Sequence, residues 1–232
     1  MNKIEIKVGN KPVFLNIRDE ADESVFAEVF KQHEYRVAEE YIRDLKNGVI
    51  VDVGAHAGFF SVFAKALNPA ARLIAIEPEP GNIAALAENF KLNGIDNFEI
   101  VAGALGGDSG RRNLALAKDS HNHRLLARKE QKNTETLVVN SWSLPELVKK
   151  CIIERIGLLK MDIEGGEYEV FDSLNAEDFS KISSIILEYH NGRLGSGNEI
   201  EEQLRENGFG VQIFPSKFDN KMGFIFARNK RT

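Results

Sequence analysis

The chain has one cysteine, one tryptophan and six prolines among 232 residues, and no apolar run approaching a membrane span. A single thiol, Cys151, excludes an intramolecular disulfide framework and a multi-thiolate zinc site. No apolar stretch reaches the roughly 18 residues that a spanning helix requires, and the opening MNKIEIKVGN has no apolar signal region. A soluble, cytoplasmic protein is the expectation. Positive charge is also short: 30 Lys and Arg stand against 35 Asp and Glu, a net charge of -5. That balance argues against nucleic acid as a partner, which would need a local basic patch. No repeat or low-complexity tract is present, and nothing bears on oligomeric state.

What remains is enough apolar sequence, 43%, to fill one core. Residues 3–18 read as a β-hairpin, with Ile4, Ile6 and Val8 alternating, Gly9-Asn10 as the turn, and Val13, Leu15 and Ile17 alternating again. Helices are expected over 22–31 and 36–46, the first carrying Val25, Phe26, Val29 and Phe30 on one face, the second stopped by Asn47-Gly48. From residue 49, apolar runs at 49–53, 73–76, 98–101, 156–161 and 184–187 alternate with helical patterns such as 80–93. Strands apolar throughout and interleaved with helices indicate an α/β fold with a parallel sheet covered on both faces. Runs at 209–214 and 223–227 suit a closing antiparallel pair. Residues 106–135 read as a polar insertion or long loop with a weak strand at 113–117.

The most informative segment is VIVDVGAHAGFFSVFA, residues 49–64. A buried strand runs into Asp52, then Gly54, Ala55, His56 and Gly58, and a helix opens with Phe59, Phe60 and Ser61. Glycines there let the backbone turn sharply and approach a ligand, and the helix start offers free N–H groups. Glu77, 25 positions after Asp52, ends the second strand before Pro78 and is placed to accept from two ribose hydroxyls. A ligand-free turn and a nucleotide site are both compatible with this pattern. A dinucleotide site favours G-x-G-x-x-G, whereas the spacing here is G-x-x-x-G. Asp52 beside the glycines disfavours a pyrophosphate and suits an ammonium. S-adenosylmethionine, with an ammonium, a ribose and an adenine, fits better.

A second cluster follows in LLKMDIEGGEYEVF, where Asp162 closes a strand, Glu164 follows and Gly165-Gly166 turns into a helix. The run IILEYH brings Glu188 and His190 to the adjacent strand end. Ligands of open parallel sheets sit beyond the carboxyl ends of the strands, so these groups share one crevice with Asp52 and Glu77. Plainer roles exist: Glu164 as a helix-dipole charge, His190 as a loop histidine, His121 and His123 as solvated loop residues. Asp162, Glu164 and His190 are also the oxygen-rich set that a divalent cation would use, though spacing does not establish a metal.

Four stretches in this order resemble the FkbM family of S-adenosylmethionine-dependent methyltransferases: VIVDVGAHAGFFSVFA, IAIEPEPGNIAALAENFKLNG, LLKMDIEGGEYEVF and IILEYH. ADESVFAEVFKQHEY, ALGGDSGRR and SLPELVKKCIIERIG extend the likeness over residues 21–190. His56 departs from the family, which often has Asn there. The resemblance implies a class I, Rossmann-like methyltransferase fold: a doubly wound, mostly parallel seven-stranded sheet over 48–232, with residues 1–47 as a hairpin and helical extension. It implies methyl transfer to a hydroxyl of a small molecule or glycan. Cofactor contacts are expected from Asp52, Gly54, Ala55, His56, Gly58, Phe59, Ser61, Glu77, Pro78, Gly103, Ala104 and Asp162. His190 is the expected base, with Asp162, Glu188 and Glu164 as the other catalytic candidates. An RNA or protein acceptor, and a non-catalytic binding module, are the alternatives.

Overall fold

A computed structural model of the chain describes residues 2–46, 48–117, 123–126, 135–192, 195–216 and 221–231. The chain opens with a hairpin of β1 (Asn2–Val8) and β2 (Lys11–Ile17), paired antiparallel around Gly9-Asn10. Helix α1 (Glu20–Phe26) continues into a π-helical turn over Ala27–Lys31, and a 3-10 turn (Glu34–Ala38) leads into α2 (Glu39–Asp44). The helices expected over 22–31 and 36–46 are therefore broken into shorter pieces. His33, in the left-handed region at φ 57, separates them.

The central layer then builds in order: β3 (Val49–Val53), α3 (Phe59–Leu67), β4 (Arg72–Glu77), α4 (Pro80–Leu92) and β5 (Phe98–Ala102). Next come β6 (Ala104–Leu105), β7 (Gly110–Ala115), β8 (Arg124–Leu125), β9 (Thr136–Trp142) and α5 (Leu144–Lys150). The chain returns through β10 (Ile156–Met161), α6 (Glu167–Asp172), α7 (Ala176–Ser180), β11 (Ile182–His190), α8 (Gly197–Glu206), β12 (Phe209–Pro215) and β13 (Met222–Asn229). Among the described residues a mixed seven-stranded sheet has the order β12-β13-β11-β10-β3-β4-β5. Strands β11, β10, β3, β4 and β5 are parallel neighbours, while β13 is antiparallel to both β11 and β12. The chain winds outward from β3 to β5, then returns to lay β10 on the other side of β3. The order thus reverses between β3 and β10, and a crevice opens at their carboxyl ends.

Alternation along the strands supplies both cores. Ile50, Leu73, Leu158 and Ile186 face a layer containing Phe59, Phe63, Leu86 and Phe90; Val51, Ile74, Leu159 and Ile185 face one containing Leu147, Phe171 and Leu204. The hairpin belongs to the first layer, with Val13, Leu15 and Ile17 in the same apolar cluster. Its free edge is also satisfied from α4: the Phe14 N–H donates to Asn93 Oδ1 at 2.9 Å and the Asn16 N–H to Asn89 Oδ1 at 2.8 Å. Buried edge amides require such partners.

The insertion reading of 106–135 needs correction. The strand expected at 113–117 is β7, which lies in a four-stranded sheet of order β6-β9-β7-β8. Its main partner, β9, lies beyond the insertion, so the pairing is non-local and local polarity masks it. Buried Arg112 ties this sheet to α6 through a fork onto Glu169 and donates to the Leu126 carbonyl at 2.7 Å. Residues 118–122 and 127–134, with His121, lie outside the described residues. No helix among those described is long and apolar enough to cross a membrane.

Because Leu15 is 0% exposed within a layer shared with the central sheet, Leu15→Ala is expected to destabilise the whole domain by about 2–5 kcal/mol. Urea unfolding followed by both fluorescence and circular dichroism should show one shifted transition. Separate loss of the hairpin would contradict the shared core.

Candidate cofactor and acceptor site

Strand β3 ends against β10, and the two backbones leave no room for a side chain between them. Gly54 has φ 71, and a Cβ there would run into the Asp162 carbonyl. The amides of Gly54 and Ala55 donate to the Ile76 carbonyl at 3.1 and 3.0 Å, fastening the turn to β4. Gly58, at φ 80, starts α3 where a Cβ would press on Leu86 and Phe90 of α4. Its role is helix packing, and Phe59 beside it is 1% exposed in the core.

Glu77 ends β4 at 4% exposure. Its Oε2 accepts the His56 N–H at 2.9 Å, and its Oε1 accepts the Glu79 N–H at 2.9 Å and Asn82 Nδ2 at 3.4 Å. Burial outweighs these donors and pushes the carboxyl up to about 7. The turn therefore aims one amide, that of His56, at this carboxylate, and His56 takes φ 49 in doing so.

Asp52, expected to contact the ligand's ammonium, is directed at Ser61 and Lys160. It is 0% exposed, accepts from Ser61 Oγ at 2.6 Å and lies 3.2 Å from Lys160 Nζ. Asp52 and Lys160 are register partners on β3 and β10, so the pair forms across the sheet. Burial opposes the ammonium, but Asp52, Asp162 and Glu188 together outweigh it and raise its pKa. Lys160 also donates to the Gly54 carbonyl at 3.0 Å, which braces the turn from below. The lysine inside the apolar run LLKMD was the available sequence signal for this brace.

A crevice open to solvent lies over these strand ends. Of the expected contacts, Gly54, Ala55, His56, Glu77, Pro78, Ala104 and Asp162 line it; Asp52, Gly58, Phe59, Ser61 and Gly103 are not among its lining residues. Gly103 lies against Asn140 and Trp142 of β9 instead. Two groups of lining residues escape a local reading. Val25, Val29 and Tyr35 come from the N-terminal helices, and Leu105, Leu114, His123 and Leu125 come from the second sheet. His123, expected in a solvated loop, accepts the Ala117 N–H on Nδ1 at 3.0 Å.

Beside the cavity, His190 at the end of β11 sits between carboxylates, with Nε2 3.5 Å from Glu164 Oε2 and Nδ1 3.6 Å from Glu167 Oε1. Burial disfavours the imidazolium, but Glu167, Glu164 and Glu188 overcome it and hold the pKa up to about 10. That surrounding favours the imidazolium over the neutral ring. The neutral ring, the form the expected role of base requires, is the disfavoured one. Burial and then Asp162 push Glu188 up to about 10, so it keeps its proton. Glu164, at φ 56, is pushed to about 7 by burial and Asp162. Of the four catalytic candidates, Asp162 is the one lining the cavity. Among the described residues no group of three or more His, Cys, Asp or Glu side chains is arranged to hold a metal ion.

The sequence pattern of the "Methyltransferase FkbM domain" matches residues 52–211, more than half of the chain. The chain belongs to the FkbM methyltransferase family. The chain is 26% identical over 216 residues to "Methyltransferase sdnD" of Sordaria araneosa, covering 81% of this chain and 82% of that protein. It is 28% identical over 193 residues to "31-O-demethyl-FK506 methyltransferase FkbM" of Streptomyces tacrolimicus, covering 70% and 73%. In fold it is similar to precorrin-6y C5,15-methyltransferase from Geobacter metallireducens GS-15, with a TM-score of 0.53 and 16% identity over 86% of this chain and 90% of that one. This chain is accordingly a methyltransferase with a Rossmann-like α/β fold. FkbM membership implies S-adenosylmethionine as its methyl donor.

Glu34 supplies a pH test of the acidic surroundings of this FkbM site. Burial, then repulsion from Glu28 and Asp162, raises its carboxyl from 4.5 to about 7. A folded-state pKa above the unfolded value favours folding below about pH 4.5, and that contribution is lost as the pH rises through about 7. Glu34→Gln is therefore expected to stabilise the protein by about 1–2 kcal/mol at pH 8, after allowance for solvent screening, with no gain at pH 4. Thermal denaturation at both pH values checks the sign.

Proposed function

We propose that the chain transfers the methyl group of S-adenosylmethionine to a hydroxyl oxygen of a small molecule or glycan, with Asp162 as proton acceptor. One observation carries this reading: a buried carboxylate, Glu77, is held by the His56 and Glu79 amides on one wall of the cavity that Asp162 also lines. The wall fits the donor chemically. Glu77 offers acceptors to the ribose hydroxyls; Gly54 and Ala55 line the cavity where the methionine end would lie. Pro78, Leu105, Leu114 and Leu125 form an apolar boundary suited to adenine.

When bound, S-adenosylmethionine supplies a methyl already activated on a sulfonium, so the protein's work is alignment, exclusion of water and removal of one proton. Asp162 takes the hydroxyl proton, a contribution of about 10²–10⁴ in rate for a well-placed base. Val25, Val29, Tyr35 and Phe60 line the cavity and keep water from the reacting oxygen. The His190 imidazolium between Glu164 and Glu167 offsets part of the negative charge around Asp162. Residues 1–47 serve as the part of the enzyme that closes one side of the site in the 48–232 domain.

Acceptor chemistry is supported from two sides. Glu28, Glu34 and Glu164 interact electrostatically with one another or with Asp162, an acidic surrounding unlike the basic patch that nucleic-acid phosphates require. The Streptomyces tacrolimicus relative is named for O-methylation of an FK506 derivative, a small molecule.

Calorimetric titration with S-adenosylhomocysteine, using NAD as control, tests the cofactor half. Binding of S-adenosylhomocysteine alone is expected, with Glu77→Ala weakening it by about 100-fold through loss of paired, charged hydrogen bonds. Asp162→Asn should keep that binding and lose at least about 100-fold in methyl transfer, measured with radiolabelled donor against a library of hydroxylated small molecules. Wild-type affinity in Glu77→Ala, or label appearing in RNA or protein instead, would sink the reading.

A further inference from the structure

The reading of Glu77 as the ribose partner leaves an adjoining assembly without a role. Arg18 follows β2, and Asp22 lies in the first turn of α1. The guanidinium forks onto Asp22 at 2.8 and 2.7 Å, and the Arg18 N–H adds a third bond to Asp22 Oδ2 at 2.8 Å. Asp22 is 0% exposed and the Arg18 side chain 20%, so a buried carboxylate is held in fixed geometry by a half-buried guanidinium. Remaining N–H groups of Arg18 reach the first turn of α4: Nη2 donates to Asn82 Oδ1 at 2.9 Å and Nη1 to the Gly81 carbonyl at 3.1 Å.

Asn82 is the link to the site. It is 1% exposed, and its Nδ2 faces Glu77 Oε1 at 3.4 Å. An amide side chain has one accepting and one donating end, and Arg18 is a donor only. With the guanidinium on its oxygen, Asn82 has its NH2 turned toward Glu77. Without Arg18, nothing at that end prevents the opposite orientation, in which an oxygen would face the carboxylate. On the other side, the His56 ring lies 3.6 Å from Asp22 Oδ1 and 3.5 Å from Arg18 Nη2, and the His56 N–H is a second donor to Glu77.

We propose that Arg18, from the N-terminal extension, is a positioning residue of the cofactor site: it orients the Asn82 amide and the His56 turn, which together aim Glu77 at the ribose hydroxyls. The proposal rests on the Glu77 reading above. Arg18 itself touches neither donor nor acceptor. The extension is thereby part of the cofactor site, in addition to being part of the core.

The test compares S-adenosylhomocysteine with its 2′,3′-dideoxyribose analogue, by calorimetry, in wild type, Arg18→Lys, Asn82→Leu, their combination, and Glu77→Ala. Arg18→Lys keeps a charge against Asp22, but one ammonium does not span Asp22 and Asn82 together. Asn82→Leu cuts the link without disturbing the Arg18–Asp22 pair. Both single variants are expected to lose about tenfold of the wild-type preference for the intact ribose, and the combination no more than either alone. Equal loss for both ligands would make Arg18 merely structural and overturn the proposal, as would undiminished preference in folded Asn82→Leu. Undiminished preference in Glu77→Ala would overturn the ribose reading itself, which separates the two failures.

Discussion

The close approach of β3 and β10 at their carboxyl ends is the constraint on which the rest of this structure depends. Gly54 is required because the Asp162 carbonyl occupies the space a side chain would take. One step back along the same two strands, Asp52 and Lys160 face each other with both side chains buried. A desolvated pair of this kind contributes little net stability against an apolar alternative, but removing one partner is costly. Its value lies in geometry: the Lys160 ammonium also holds the Gly54 carbonyl, so the turn, the sheet and the neighbouring strand end are fixed relative to one another.

From that anchored turn the chemistry follows by proximity. The amides after Gly54 point at β4, where Glu77 accepts one of them and carries a pKa near 7 as a consequence of burial. A carboxylate left this desolvated is a stored cost that ligand hydroxyls would offset, which is how binding sites commonly come to hold perturbed groups. On the opposite wall, one imidazolium lies among several carboxylates. Burial and the neighbouring carboxyls favour the protonated forms of His190 and Glu188, and the proposed mechanism uses Asp162. The site is therefore read from environments more than from residue types, and His190 is the instructive case.

Three parts of the molecule close on this crevice. The N-terminal helical segments reach it through Val25, Val29 and Tyr35, with Arg18 standing behind Asn82; the small sheet of β6 to β9 reaches it through Leu105, Leu114 and Leu125; the central sheet supplies the charged groups. The first two are stapled by arginines, the half-buried Arg18 onto buried Asp22 and the buried Arg112 onto Glu169. In both cases the planar guanidinium joins two elements at once, which a lysine would not reproduce.

The sequence by itself determined the alternation of apolar strands and helices from β3 onward, the hairpin at the start, and the glycine turn with Glu77 beyond it. Those features are local: a strand apolar on every residue, a helix stripe, a glycine where the chain reverses. Tertiary structure decided that Asp52 turns inward to Lys160, that His190 sits between Glu164 and Glu167, that β7 finds β9 across the insertion, and that Arg18 sits behind Asn82. Each of these depends on a partner far along the chain, 108 positions in the case of Asp52 and Lys160. Burial and charge at a side chain are set by what folds against it, and neither quantity is written in its neighbours along the sequence.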